Sequence, residues 1–147
     1  MNRREQYQTL IHHNVPSPLS SIAHHHDVDC IERFFAATYP MHLAIHKITS
    51  AADVARYTEL HCHNVPEINI IVGDAAGELT YEIQLEDEAF CVAANSTIWI
   101  PAGMMHASNV ISGSGYFIAI RLNGFENVGR EMSIPMSISA VKEVNGQ

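Results

Sequence analysis

From Met41 onward the chain is a succession of short runs in which apolar and polar residues alternate, each closed by turn-forming residues. The runs cover residues 41–48, 57–63, 68–72, 79–85, 90–92, 97–100, 107–111 and 116–122. Between them stand Gly73-Asp74-Ala75-Ala76-Gly77, Glu86-Asp87-Glu88, Ala94-Asn95-Ser96, Pro101-Ala102-Gly103 and Ser112-Gly113-Ser114-Gly115. Side chains alternate faces along a strand, so Leu79, Tyr81, Ile83 and Leu85 form a buried side, with Thr80, Glu82 and Gln84 on the wet side. Many short strands at even spacing, with no helices between them, predict an all-β antiparallel sandwich or barrel over residues 41–147.

Residues 1–40 have a different texture and are expected to form a partly helical N-terminal arm. A short helix over residues 4–13 is stopped by Asn14-Val15-Pro16-Ser17-Pro18, whose prolines remove donors and fix φ. Asp27 then caps a second helix in which Val28, Ile31, Phe34 and Phe35 fall near helical spacing, closed by Tyr39-Pro40. The arm is expected to pack on the barrel exterior or on a partner subunit. Residues 132–141 are expected to add an edge strand.

At 147 residues the chain suits one domain with a real core. Eight Lys and Arg against sixteen Asp and Glu give a net charge of −8, a surface that repels a phosphate backbone, so nucleic acid is not an expected partner. No apolar run approaches the ~20 residues of a bilayer span, and the opening residues carry no apolar signal region; a cytoplasmic address without membrane association is expected. Cys30, Cys62 and Cys91 are odd in number and widely separated, as reduced thiols are.

The ten histidines carry the chemistry. In His61-Cys62-His63, positions i and i+2 of a strand point to one face, so both imidazoles can reach one ion while Cys62 points away. If the strand bends at Asn64-Val65-Pro66, Glu67 returns to that side as an oxygen donor; imidazole and carboxylate together suit divalent Zn, Fe, Mn, Ni and Co. Two surface histidines are the plainer reading of this pair taken alone.

His61-x-His63-x-x-x-Glu67, a glycine turn at Gly73, and then Pro101-x-Gly103-x-x-His106 after a strand together resemble the two sequence motifs of the cupin superfamily. The resemblance covers residues 57–111. It implies a conical barrel of two antiparallel sheets (a double-stranded β-helix, or jelly roll) holding one divalent metal through His61, His63, Glu67 and His106. The pattern departs from the family at turns and flanks: Ala55 and Asn95 stand where glycines are usual, the step from Glu67 to Gly73 is one residue short, and Asn109 comes one residue early. All four ligand positions are intact.

Three neutral imidazoles and one carboxylate around a divalent ion leave a local charge of about +1 and about two open positions, which favours a chelating organic anion. The resemblance therefore implies a small-molecule substrate, anionic in character, and a metal-dependent enzyme. An Fe(II)-type oxygenase leads; a Lewis-acid isomerase, lyase or decarboxylase and a non-catalytic ligand-binding cupin are the alternatives. Tyr81 is a candidate catalytic hydroxyl at the barrel mouth, with core packing the competing role. Asn69 shares the parity of Glu67 and is a candidate cavity residue. His42 and His46 share one face as supports for the metal or as structural histidines, and Arg121 is either a substrate-carboxylate partner or a solvent-facing strand end. His24-His25-His26 alternate sides and make a poor single site. A homodimer is expected, since small cupins pair through sheets and arms and Phe34-Phe35 offers apolar surface.

Overall fold

The computed structural model describes residues 1–74 and 78–128, so the expected edge strand over 132–141 lies outside the described residues. A six-residue helix, α1 (Arg3–Gln8), comes first and buries none of its residues. Its capping box is complete: Asn2 Oδ1 accepts from the Glu5 N–H and Glu5 Oε2 accepts from the Asn2 N–H, both at 2.9 Å. The helix is shorter than the 4–13 span expected, ending at the C-cap Thr9. Eight strands follow: β1 (Val15–Pro16), β2 (Ile31–Phe35), β3 (Leu43–Ala51), β4 (Glu67–Gly73), β5 (Thr80–Leu85), β6 (Glu88–Ala93), β7 (Ser96–Ile100) and β8 (His106–Arg121). No helix among the described residues is long and apolar enough to cross a membrane.

The strands build two antiparallel layers joined by β8. One runs β1-β2-β3-β8-β4-β7; the other pairs β6 with β5 and β5 with the first half of β8. Tyr81, Ile83, Ile71, Ile48, Leu79 and Phe117 are among the buried side chains that fill the space between them. This is an all-β antiparallel barrel, as the alternation in sequence predicts, and its layers are consistent with the jelly roll that the resemblance implies.

Three expectations are corrected. The helix expected after Asp27 is instead strand β2, in register with β3 from Ile31↔Ile48 to Phe35↔Ala44. Ile31 and Arg33 are buried and Glu32 is exposed, a period of two that the charge at Arg33 disguises. Asp27 caps no helix; its carboxylate accepts from the Ser20 N–H at 3.0 Å and the Ser20 hydroxyl at 2.6 Å. Second, residues 57–63 form no regular strand: only Thr58 and His61 make isolated β-bridges, to His25 and His106. Third, Ser112-Gly113-Ser114-Gly115 is not a turn between two strands. It is the corner at which the sixteen residues of β8 pass from β5 to β3 and β4. Gly113 (φ +99°) and Gly115 (φ +148°) supply the backbone geometry there.

Candidate metal centre

Two segments bring the donors together. The Pro101-Ala102-Gly103 turn ends β7 and aims the chain back into β8; Gly103 adopts φ +82° and donates its N–H to the His63 carbonyl at 2.7 Å. His61 and His106 then exchange reciprocal backbone hydrogen bonds, 3.0 Å and 2.7 Å long. The pairing brings the two side chains together, with ring centroids 4.5 Å apart and the planes tilted by 53°; His63 stands 4.9 Å from His61 and 5.1 Å from His106.

One ring nitrogen from each of His61, His63 and His106 lies within 4.8 Å of those of the other two, a spacing that a single metal ion can span. Nδ1 of His61 donates to the Glu59 carbonyl at 2.6 Å and Nδ1 of His106 to the Met104 carbonyl at 3.0 Å. In neutral imidazoles those contacts leave the Nε2 lone pairs free. Nε2 of both His63 and His106 is buried without a hydrogen-bond partner, an arrangement that costs free energy unless something else occupies those lone pairs. The donor set fits a divalent ion.

Glu67, the first residue of β4, completes the wall of the centre. Its Oε1 lies 3.4 Å from His63 Nε2 and its Oε2 3.6 Å from His106 Nε2, close enough for electrostatic contact but without hydrogen-bond geometry. It stands beside the three-histidine cluster rather than within its 4.8 Å spacing. Burial pushes the carboxyl up, yet His106, Asn69 and His63 together outweigh burial and hold it down to about 2. Burial chiefly lowers His61 and His63, the latter to about 4 with the Arg121 charge contributing next. These shifts favour the ligating protonation state of Glu67, His61 and His63 at neutral pH.

Asn69 is fully buried and does not line the cavity; its Nδ2 donates to Glu67 Oε2 at 2.8 Å and its Oδ1 accepts from the Ser108 hydroxyl at 3.1 Å. Its place is behind the carboxylate, holding it. Tyr81 is also fully buried, stacked on Phe117 with centroids 4.7 Å apart, and that ring separates it from the cavity. Burial first, and then Tyr57, push its hydroxyl well above the usual phenol range. The structure therefore puts Tyr81 in the core, away from the mouth. Arg121 turns inward, donating Nε–H to Glu67 Oε1 at 3.3 Å.

A small cavity open to solvent adjoins the centre. His61, Glu67 and His106 meet His25, His42, His46 and Arg121 on its walls. The triple-histidine run is closer to the site than its spacing suggests. It pairs with the ligand-bearing segment through His25↔Thr58, which turns His25 to the cavity while His24 and His26 approach Glu59 outside. Sequence reasoning also passed over Asn109 as an anchor. Its Oδ1 accepts from the Tyr57 and Thr58 N–H groups at 2.9 and 3.0 Å, standing in for the strand that residues 57–63 do not form.

No family model matches the chain, and no curated protein matches it. Solved structures do. A cupin superfamily protein from Desulfitobacterium hafniense is similar over 76% of this chain and 97% of its own, at 15% identity and a TM-score of 0.52. KdgF from a Halomonas species matches over 66% of this chain and 84% of its own (20% identity, TM-score 0.46). An RmlC-like cupin from Shewanella frigidimarina matches over 75% and 91% (9% identity, TM-score 0.48). The first of these likenesses, with the topology described above, shows that the chain has a cupin-type fold. The spacing of the histidine cluster is one that could hold a metal ion.

Proposed function

We propose that the protein is a metal-dependent enzyme acting on a small organic acid, with Fe(II)-type oxygenase chemistry as its leading form. The observation that supports this reading is the three-histidine cluster at the edge of a cavity that also carries His25, His42, His46 and Arg121, backed by a buried ionised carboxylate. A divalent ion held there supplies Lewis acidity toward a chelated oxyanion and, as Fe(II), redox chemistry with O₂. The chain's own part is positional. His61, His63 and His106 present ring nitrogens, Glu67 presents a carboxylate fixed by Asn69 and Arg121, and Phe117 and Ile22 give the cavity an apolar boundary against water.

The second reading is Lewis-acid isomerase, lyase or decarboxylase chemistry, favoured by the Arg121 guanidinium on the cavity wall beside Glu67, which can stabilise a developing enolate. Elemental analysis of protein purified without added metal, followed by oxygen uptake with panels of 2-oxo and hydroxy acids, separates the two. Iron and substrate-dependent uptake are expected. Background uptake from an iron-loaded sample overturns the oxygenase form, and failure to retain any divalent ion overturns the metal reading as a whole.

A further inference from the structure

Arg33 is a charge without a counter-charge. Only 3% of the residue is exposed, and no carboxylate forms an ion pair with it among the described residues. Its Nη1 donates to the Ser17 hydroxyl at 2.9 Å, which leaves Nε and Nη2 buried and unpartnered. Those two N–H groups form the side-on edge of a guanidinium, the edge that receives both oxygens of a carboxylate in parallel. The Phe35 ring, 4.9 Å from Cζ, offsets part of the charge but takes none of these donors through a hydrogen bond. A buried guanidinium left in this state is costly, so its retention at an inward position asks for an anion.

His46 supplies the second, separate sign. It is the register partner of Arg33 across the β2–β3 pair, so both side chains rise from one face of the sheet. That face carries His42, Ala44 and His46 into the cavity, with Arg33 behind them and off the lining itself. His46 is 5% exposed, and its Nδ1 is buried without a partner. Burial chiefly, and the Arg33 charge next, hold His46 down to about 3, so the ring is neutral and offers one N–H. The Arg33 charge also lowers His25 and His42, secondary to burial, which fits a guanidinium close behind this wall.

We propose that the β2–β3 wall of the cavity is a carboxylate subsite, in which the ring N–H of His46 receives one carboxylate of a small organic substrate and the Arg33 guanidinium, set behind that wall, supplies the counter-charge. The inference deepens the proposed function, and rests on it, by naming where the acid group of the substrate sits: on the wall carried by β2 and β3, while the remainder of the molecule faces the histidine cluster. Arg33 and Arg121 against Glu67 leave this chamber cationic inside a chain of net charge −8, which makes it selective for anions at contact range.

The test uses the full chain stripped of metal, with succinate as the probe and succinamide as its uncharged counterpart, read by titration calorimetry. Wild-type protein is expected to bind succinate and to ignore succinamide. Arg33→Gln is expected to lose at least tenfold in succinate affinity while taking up zinc as wild type does. His61→Ala should do the reverse, losing zinc but keeping its affinity for succinate. If Arg33→Gln does not fold, His46→Leu serves in its place, with a loss of at least threefold expected. Absence of succinate binding by the metal-free wild type overturns the subsite, as does a smaller loss in the variant used or equal binding of succinamide. None of those results bears on zinc uptake, so this proposal and the metal reading fail separately.

Discussion

Asn109 grips Thr58 at both ends: its Oδ1 accepts from the Thr58 N–H at 3.0 Å and its Nδ2 donates to the Thr58 carbonyl at 3.2 Å. One side chain on β8 thus imitates the edge of a strand, and the segment leading to His61 is held in place by it.

Replacing Asn109 with Leu should therefore damage both stability and the centre. The Tyr57 and Thr58 amides, buried and now unpaired, are expected to cost about 2–4 kcal/mol in urea unfolding. With His61 no longer positioned, zinc affinity should fall about tenfold or more, the size of loss typical when a ligand's supporting contacts go. A variant that unfolds more easily yet binds zinc normally would show that the segment's position does not depend on this contact.

Metal binding should register as stability. An ion that binds only the folded protein adds about 2.7 kcal/mol at a hundredfold excess over its Kd, a rise of several degrees in Tm that a chelator reverses. His61→Ala is expected to abolish that rise. His25→Ala is expected to keep it, since His25 meets His61 edge-on but contributes no nitrogen to the cluster. Equal loss in both variants would move the binding site toward the triple-histidine run.

The corner of β8 should be the most substitution-sensitive backbone in the barrel. A Cβ at Gly113 would lie 1.8 Å from the Glu78 carbonyl oxygen, at a φ of +99° that disfavours any L side chain. Gly113→Ala is expected to cost on the order of 3 kcal/mol or more, since the obstacle is main chain and cannot swing aside. Gly103 makes the control: φ is +82° but no atom lies within 4 Å of a Cβ there. Gly103→Ala should thus cost only about 1–2 kcal/mol, the price of the left-handed backbone alone. Thermal unfolding of the two variants side by side measures the difference.

That corner also marks the limit of what the sequence discloses. Glycines between alternating runs signal a break in pairing, and Ser112–Gly115 is indeed one, but the break is a change of partner strand rather than a reversal of direction. Local composition cannot separate the two, because both demand residues free of Cβ constraints. The four-residue match of His61, His63, Glu67 and His106 to a cupin pattern identified the neighbourhood of the centre, since ligand spacing is set by strands and tight turns that are themselves local. Arg33 escaped notice, and the contact of Arg121 with Glu67 was not foreseen, for the opposite reason. Each reads as a solvent-facing charge until the sheet brings it beside a partner far away in sequence, His46 in one case and Glu67 in the other. The second helix failed on a similar ambiguity: Val28, Ile31, Phe34 and Phe35 satisfy helical spacing, and only pairing with β3 decides for a strand.

Acid should destabilise the fold earlier than its carboxylates alone require. His46 is held at about 3 and His42 at about 4 in the folded chain, chiefly by burial and then by the charges of Arg33 and Arg121, against 6.5 for a free imidazole. Between pH 6.5 and those values the unfolded chain binds protons that the folded one refuses, so stability falls as pH drops through this window and levels off below about 3. Glu67, held at about 2 against 4.5, adds a second loss that begins only below 4.5. Removing the buried imidazole in His46→Gln should flatten the slope of urea stability between pH 6.5 and 4.5 by up to one proton's worth, and leave the lower limb in place. Urea midpoints taken at pH 7, 6, 5 and 4 measure it, and a variant with the wild-type slope across the upper window would mean that His46 takes up its proton in the folded state.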